Sequence, residues 1–223
     1  MNRLDYSVAD VARRGVEVNK VLKNTYMLLS ATLLFSALAA TASVFLQVPH
    51  FTNLICFGGA IVLLWFVLPR TANSTTGLWV VFGITGLLGF GLGPMLNAYL
   101  QMANGPQLVA TALGGTGVIF MGLSGYALTT RKDFSFMGGF LVAGLLVVLV
   151  VMLANLFFSL PALSLALSAA VIMLMSGFIL YDTSRMIHGG ETNYIMMTVS
   201  LYLSIYNIFV HLLHLLGAFS GDE

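Results

Sequence analysis

Residues 134–181 read FSFMGGFLVAGLLVVLVVMLANLFFSLPALSLALSAAVIMLMSGFILY, without one Asp, Glu, Lys or Arg. A membrane-spanning helix needs about 20 mainly apolar residues. This run has room for two, separated at Ser159-Leu160-Pro161. Its apolar residues are continuous rather than alternating, which excludes a transmembrane barrel. Three more stretches lack those four residue types: 24–69, 71–130 and 192–221. The first divides at Gln47-Val48-Pro49-His50 and the second near Asn104-Gly105-Pro106, while the third holds a single span. The pattern predicts helices over 25–46, 51–69, 77–100, 107–129, 136–158, 161–182 and 194–217. The fold class is all-α, a polytopic membrane protein with seven transmembrane helices.

Composition agrees. The chain has 223 residues, 59% apolar and 8% charged, with net charge +1. Soluble domains run about 25% charged. So few charges cannot coat a soluble globule, which argues against a soluble enzyme, a nucleic-acid binder or a disordered protein. The lone Cys56 excludes an internal disulfide framework and a cysteine metal cluster. We divide the chain into a polar cytoplasmic tail (1–24), the seven-helix domain (25–217) and a short external tail (218–223). The first 24 residues lack the features of a cleaved signal and are expected to be a solvated arm or a short surface helix.

Basic residues set the expected orientation. Arg3, Arg13, Arg14, Lys20 and Lys23 precede the first helix; Arg70, Arg131, Lys132 and Arg185 occupy the second, fourth and sixth connections. The first, third and fifth connections have none. The expected N-terminus is cytoplasmic and the C-terminus lies outside.

Two helices carry informative patterns. In the third, Gly86, Gly89, Gly93 and Asn97 share a face suited to close backbone approach, and Gly93-Pro94 should bend the helix. Tight packing is also the expectation for most glycines of the fourth. In the last, Asn193, Ser200, Ser204, Asn207, His211 and His214 fall within roughly an 80° arc. A polar stripe faces the bundle interior, either as interhelical hydrogen bonding or as the wall of an ion pathway. His211 and His214, at i and i+3, could share a metal, but no carboxylate on that helix joins them, so no metal site and no cofactor are expected.

Asp182 is the one carboxylate at the edge of the membrane core. An intramembrane ionisable residue marks a functional hypothesis with a partner to be named. Arg70, at the same depth on the second helix, would make it a clamp at the inner mouth; Arg185, at i+3, would make it an interfacial pair. The run Gly122-Leu123-Ser124-Gly125 matches the intramembrane serine protease form GxSG. Counted from the inner helix ends, however, Ser124 lies about 9 Å deep and His211 about 25 Å. That gap is too wide for a Ser–His hydrogen bond. An aspartyl protease needs two facing aspartates. The expectation is a protein that is not an enzyme.

Five runs complete the reading: Val21-Leu22-Lys23-Asn24-Thr25-Tyr26, Leu92-Gly93-Pro94-Met95-Leu96-Asn97, Leu128-Thr129-Thr130-Arg131-Lys132-Asp133, His188-Gly189-Gly190-Glu191-Thr192-Asn193-Tyr194-Ile195 and Val199-Ser200-Leu201-Tyr202. With them the chain resembles the Bax inhibitor-1 family, in its bacterial YccA-type branch, over nearly its whole length after the tail. The resemblance implies that the other six helices enclose the last one. It implies an inner-membrane regulator that binds and inhibits an FtsH-type membrane AAA protease and serves as its substrate, with the tail (Arg13, Arg14, Lys20, Lys23) as the part a cytoplasmic ATPase grips. It also implies an alternative, a calcium or other cation leak channel gated by paired aspartates with an arginine lock. The first aspartate falls on Asp182, the arginine on Arg70, and the second aspartate position on Ser204, where this chain departs. Two close carboxylates share a proton; a single one beside an arginine stays ionised, so a weak pH switch is expected. Calcium prefers 6–8 oxygen ligands, and Asp182 with Ser204 and Asn207 makes a poor set. The expected partners are the protease, the lipid bilayer and, in the alternative, calcium.

Overall fold

The computed structural model describes the backbone of residues 3–220 and the side chains of residues 16–220. Seven helices are long and apolar enough to cross a membrane. We label them α1 (Arg3–Phe45), α2 (Phe51–Thr71), α3 (Thr75–Leu100), α4 (Gly105–Thr130), α5 (Ser135–Phe158), α6 (Pro161–Ile187) and α7 (Tyr194–Ser220). No strand occurs among the described residues. Helices satisfy their own backbone donors and acceptors, as hydrocarbon requires. The expected spans all occur, with two corrections. The helix that contains the first span starts at Arg3, well before residue 25, and its part long and apolar enough to cross a membrane is Val16–Phe45. The sixth span runs on to Ile187, which puts Asp182 inside the helix rather than at its end.

Prolines shape two spans. Pro69 has no N–H and its ring crowds the preceding turn; α2 widens into a π-helical turn over Leu63–Val67 just before it. In α3 the helix stops at Gly91 and restarts at Gly93, with Pro94 in the new first turn. Asn53 of α2 donates a hydrogen bond from Nδ2 to the Gly91 carbonyl, 2.8 Å, beside the break. A neighbouring side chain thus supports loosened backbone inside the bilayer.

The predicted glycine face of α3 packs on α1. A Cβ on Gly86 would meet the Phe35 ring, one on Gly89 the Ser36 carbonyl, and one on Gly93 the Ser43 side chain. Asn97 Nδ2 extends the seam with a 3.4 Å bond to the Val44 carbonyl. In lipid, where apolar burial gives little drive for helix association, such close approach supplies dispersion contact instead. The fourth helix corrects the expectation of tight packing. Gly115 faces Leu212, but Gly114, Gly117, Gly122 and Gly125 have no atom within 4 Å of a built Cβ. No neighbouring side chain packs against these four glycines, and Gly117 lines a cavity shared with α1, α3 and α7.

Around α7 pack α1, α3, α4 and α6, with α6 making the most extensive contact. The second span lies outside this ring against α3, and the fifth against α6. The enclosure of the last helix is therefore made directly by four helices and completed by two in an outer layer. The packing gives a paired test. Gly89→Ala should lower stability by about 1–3 kcal/mol, because the new methyl meets backbone. Gly114→Ala should be neutral or slightly stabilising, since glycine is costly inside a helix. Thermal unfolding of both variants in one detergent is the measurement; equal midpoints would contradict the α1–α3 seam.

Candidate functional site

Polar groups within the bundle gather at three levels. At the end that carries the basic connections, Asp182 is 3% exposed. Ser200 of α7 donates its hydroxyl to Asp182 Oδ2 at 2.5 Å, a charge-assisted geometry if the carboxylate is ionised. Neither expected arginine reaches it. Arg70 is exposed and donates to the Phe66 carbonyl of its own helix at 3.1 Å. Its helix packs on α3, not on α6, so an Asp182–Arg70 clamp is not formed. Arg185 pairs with Glu191 at 3.2 Å and lies 5.5 Å from the Tyr181 ring centre. Among the described residues that is the one ion pair. Among the described residues no arginine forms an ion pair with Asp182. The hydroxyl facing Asp182 is also Ser200, one turn before Ser204, the position to which the resemblance assigned a second carboxylate.

Near Asp182, Ser124 is buried and hydrogen-bonds Tyr26, and its Oγ lies 3.5 Å from Thr183 Oγ1. His211 instead meets Ser168 of α6, so it and the serine of the GxSG-like run have separate partners.

The loops at this end are built by capping. The sixth helix closes with Gly189 at φ 71°, a Gly190 N–H bond to the Arg185 carbonyl at 2.8 Å and a Gly189 N–H bond to the Met186 carbonyl at 3.3 Å. This Schellman arrangement uses glycine where φ is positive. Glu191 accepts the N–H groups of Thr192 and Asn193. Asn193 then caps α7 through Oδ1 and reaches the second connection through Nδ2, bonding the Ala72 carbonyl at 3.1 Å and Asn73 Oδ1 at 2.8 Å. Ser184 of α6 receives the Phe134 N–H at 2.9 Å and bonds the Lys132 carbonyl, fastening the fourth connection. There, hydrogen bonds from Ser135 hold the Asp133 carboxyl below its usual range. Between these loops and α1 lies a cleft of about 670 Å³ lined by Glu17, Leu22, Leu128, Arg131, His188 and Glu191, among others. Three of the runs that carried the resemblance meet there. Lys20 and Lys23 are exposed on the adjoining helix; Arg13 and Arg14 lie outside the described side chains.

At the middle level the sequence reading missed the central residue. Tyr202 is 1% exposed. Its hydroxyl lies 2.6 Å from Ser36 Oγ and donates to the Thr85 carbonyl at 3.2 Å. One phenol thus joins α1, α3 and α7. The helical wheel placed it among apolar neighbours; only the serine on α1 reveals its role. At the far level, His214 Nδ1 and His211 Nδ1 both meet Ser168 Oγ, at 2.9 and 3.1 Å. Of the rest of the stripe, Ser204 is buried and Asn207 bonds the Leu203 carbonyl of its own helix. Interhelical hydrogen bonding accounts for Ser200, His211 and His214.

Fold and polar interior define an integral membrane protein of seven helices whose last helix carries the internal hydrogen bonds. Residues 18–221 match the family described as inhibitor of apoptosis-promoting Bax1, and the chain belongs to it. A relative from Escherichia coli strain K12 named modulator of FtsH protease YccA is 54% identical over 207 residues, 93% of this chain and 94% of its own. The same stretch matches an E. coli O6:H1 protein named inner membrane protein YccA, at the same identity and coverage. A membrane protein of Vibrio cholerae is 48% identical over 223 residues, the whole of both chains.

The Tyr202 node yields a double-mutant test. Tyr202→Phe and Ser36→Ala should each cost about 1 kcal/mol, and the double variant should cost little more than either single. Additive losses in thermal unfolding would show that the two hydroxyls act separately.

Proposed function

We propose that this chain is a membrane-embedded regulator of an FtsH-type AAA protease. The observation that supports it is the 54% identity, over 93% of the chain, to a relative named for modulating that protease. In this reading the protein lies in a bacterial inner membrane with its basic end cytoplasmic. It binds the protease, inhibits it, and is itself drawn in through the N-terminal segment 1–24, which carries Arg13, Arg14, Lys20 and Lys23. The cleft bordered by Glu17 and Arg131 lies beside that segment, and its mixed charge suits an extended polypeptide better than an apolar ligand.

Affinity purification from native membranes in mild detergent tests the association. The protease should co-purify, and should be absent with an unrelated seven-helix protein. Deleting residues 1–20 should slow turnover of the chain while leaving association and inhibition largely intact. Turnover unchanged by the deletion counts against the tail, and a preparation free of protease counts against the whole reading.

One observation favours a second activity, cation passage. Asp182 is 3% exposed, with no cationic side chain within ion-pair distance among the described residues. A buried carboxylate is costly unless a proton or a cation visits it. One carboxylate with hydroxyls suits a transient cation better than a tight calcium site. In proteoliposomes, Asp182→Asn should change cation flux. No flux in either protein, across mildly acidic to mildly basic pH, removes this reading.

A further inference from the structure

At the end away from the basic connections, a cavity of about 310 Å³ is lined by Met95 and Tyr99 of α3, Met152 and Asn155 of α5, Ser164 and Ser168 of α6, and His211 and His214 of α7. We propose that it binds a soft monovalent metal cation, copper(I) being the biological example, through His211, His214, Met95 and Met152. The sequence pointed away from a metal because α7 offers no carboxylate beside its histidines. The thioethers come from two other helices, so no spacing within α7 could announce them.

Proton counting orients the imidazoles. Ser168 donates its single hydroxyl proton to the Ser164 carbonyl at 3.0 Å. Its oxygen can then meet two histidine Nδ1 atoms only by accepting from both. Each neutral ring carries its proton on Nδ1, and each Nε2 keeps a lone pair. Among the described residues neither Nε2 has a hydrogen-bond partner. A fixed Nδ1–H with a free Nε2 is the arrangement that metal-binding histidines take from their supporting residues.

Charge selects the ion. With both imidazoles unprotonated, as metal binding requires, the four donors carry no charge. Among the described residues no three of His, Cys, Asp or Glu gather at one point, so a divalent ion finds no charged cage. Desolvation rises steeply with charge, which disfavours a divalent ion among uncharged ligands inside a bilayer. Thioether sulfur and imidazole nitrogen together suit copper(I), while calcium and magnesium require oxygen. Methionine has three rotatable bonds, so Met95 and Met152 can close on an ion smaller than the cavity. A neighbouring cavity of about 520 Å³, which shares Met152, Asn155, Ser164 and His214 and reaches Ser159 in the turn before α6 and Pro161 at its start, provides a route from the surface.

The test uses the full chain in mild detergent, titrated anaerobically with copper(I) against a chromophoric copper(I) chelator. Metal retained after desalting is measured by mass spectrometry. The wild type should hold about one copper(I) per chain. Met95→Leu with Met152→Leu, which conserves volume, should weaken binding at least about tenfold, as should His211→Gln with His214→Gln. Ser168→Ala, which removes only the support, should weaken it by about 10–100-fold. Should the histidine variant fail to fold, the methionine pair decides. The proposal is overturned if the wild type retains no copper(I), if the methionine pair binds as the wild type does, if Cys56→Ser alone removes the metal, or if zinc(II) binds equally well.

Discussion

Hydrocarbon offers no hydrogen bonds, and most buried polar side chains among the described residues are paired within the bundle, the Thr25 and Ser43 hydroxyls excepted. Apolar burial cannot press the helices together, because lipid tails are as apolar as the side chains. What remains is contact and internal hydrogen bonding. Glycines at 86, 89 and 93 let α3 settle on α1, and that approach brings Ser36 and the Thr85 carbonyl within reach of the one phenol on Tyr202. Without the close seam the phenol would reach fewer partners; without the phenol, the seam would rest on dispersion and the single Asn97–Val44 hydrogen bond.

The same rule orders the rest of the interior. Ser200 meets Asp182, Ser124 meets Tyr26 and Thr183, and the two histidines share Ser168. These contacts join α7 to α6, α1 to α4 and α4 to α6. A last helix with so much polar lining is stable only in the middle, which explains why the most contact-rich partner of α7 is its sequence neighbour α6 and why α2 and α5 remain outside.

How much of this was legible depended on the range of the interaction. Charge-free runs fixed the number of spans, because the bilayer imposes a length on each. The α3 glycine face was legible too, since helical spacing alone reveals it. The limits of α1 and α6 were not: charges at Lys20, Lys23 and Arg185 end a hydropathy window but do not end a helix. The stripe on α7 was correct as a face but silent about partners. Arg70 and Asp182 lie at matching depths, yet depth says nothing about which helices touch, and α2 proved to be on the outside. Tyr202 and the two methionines were illegible for the same reason, as their meaning lies entirely in residues of other helices.

Ser184 sits two residues beyond Asp182 on α6, and its hydroxyl fastens the fourth connection at Lys132 and Phe134. A helix turns as a rigid screw, so the two residues cannot move independently. Any twist of α6 that parted Asp182 from Ser200 would pull on the clasp at Ser184 and shift the surface loop carrying Arg131. The buried carboxylate and the surface loop therefore hang on one turn of the same helix.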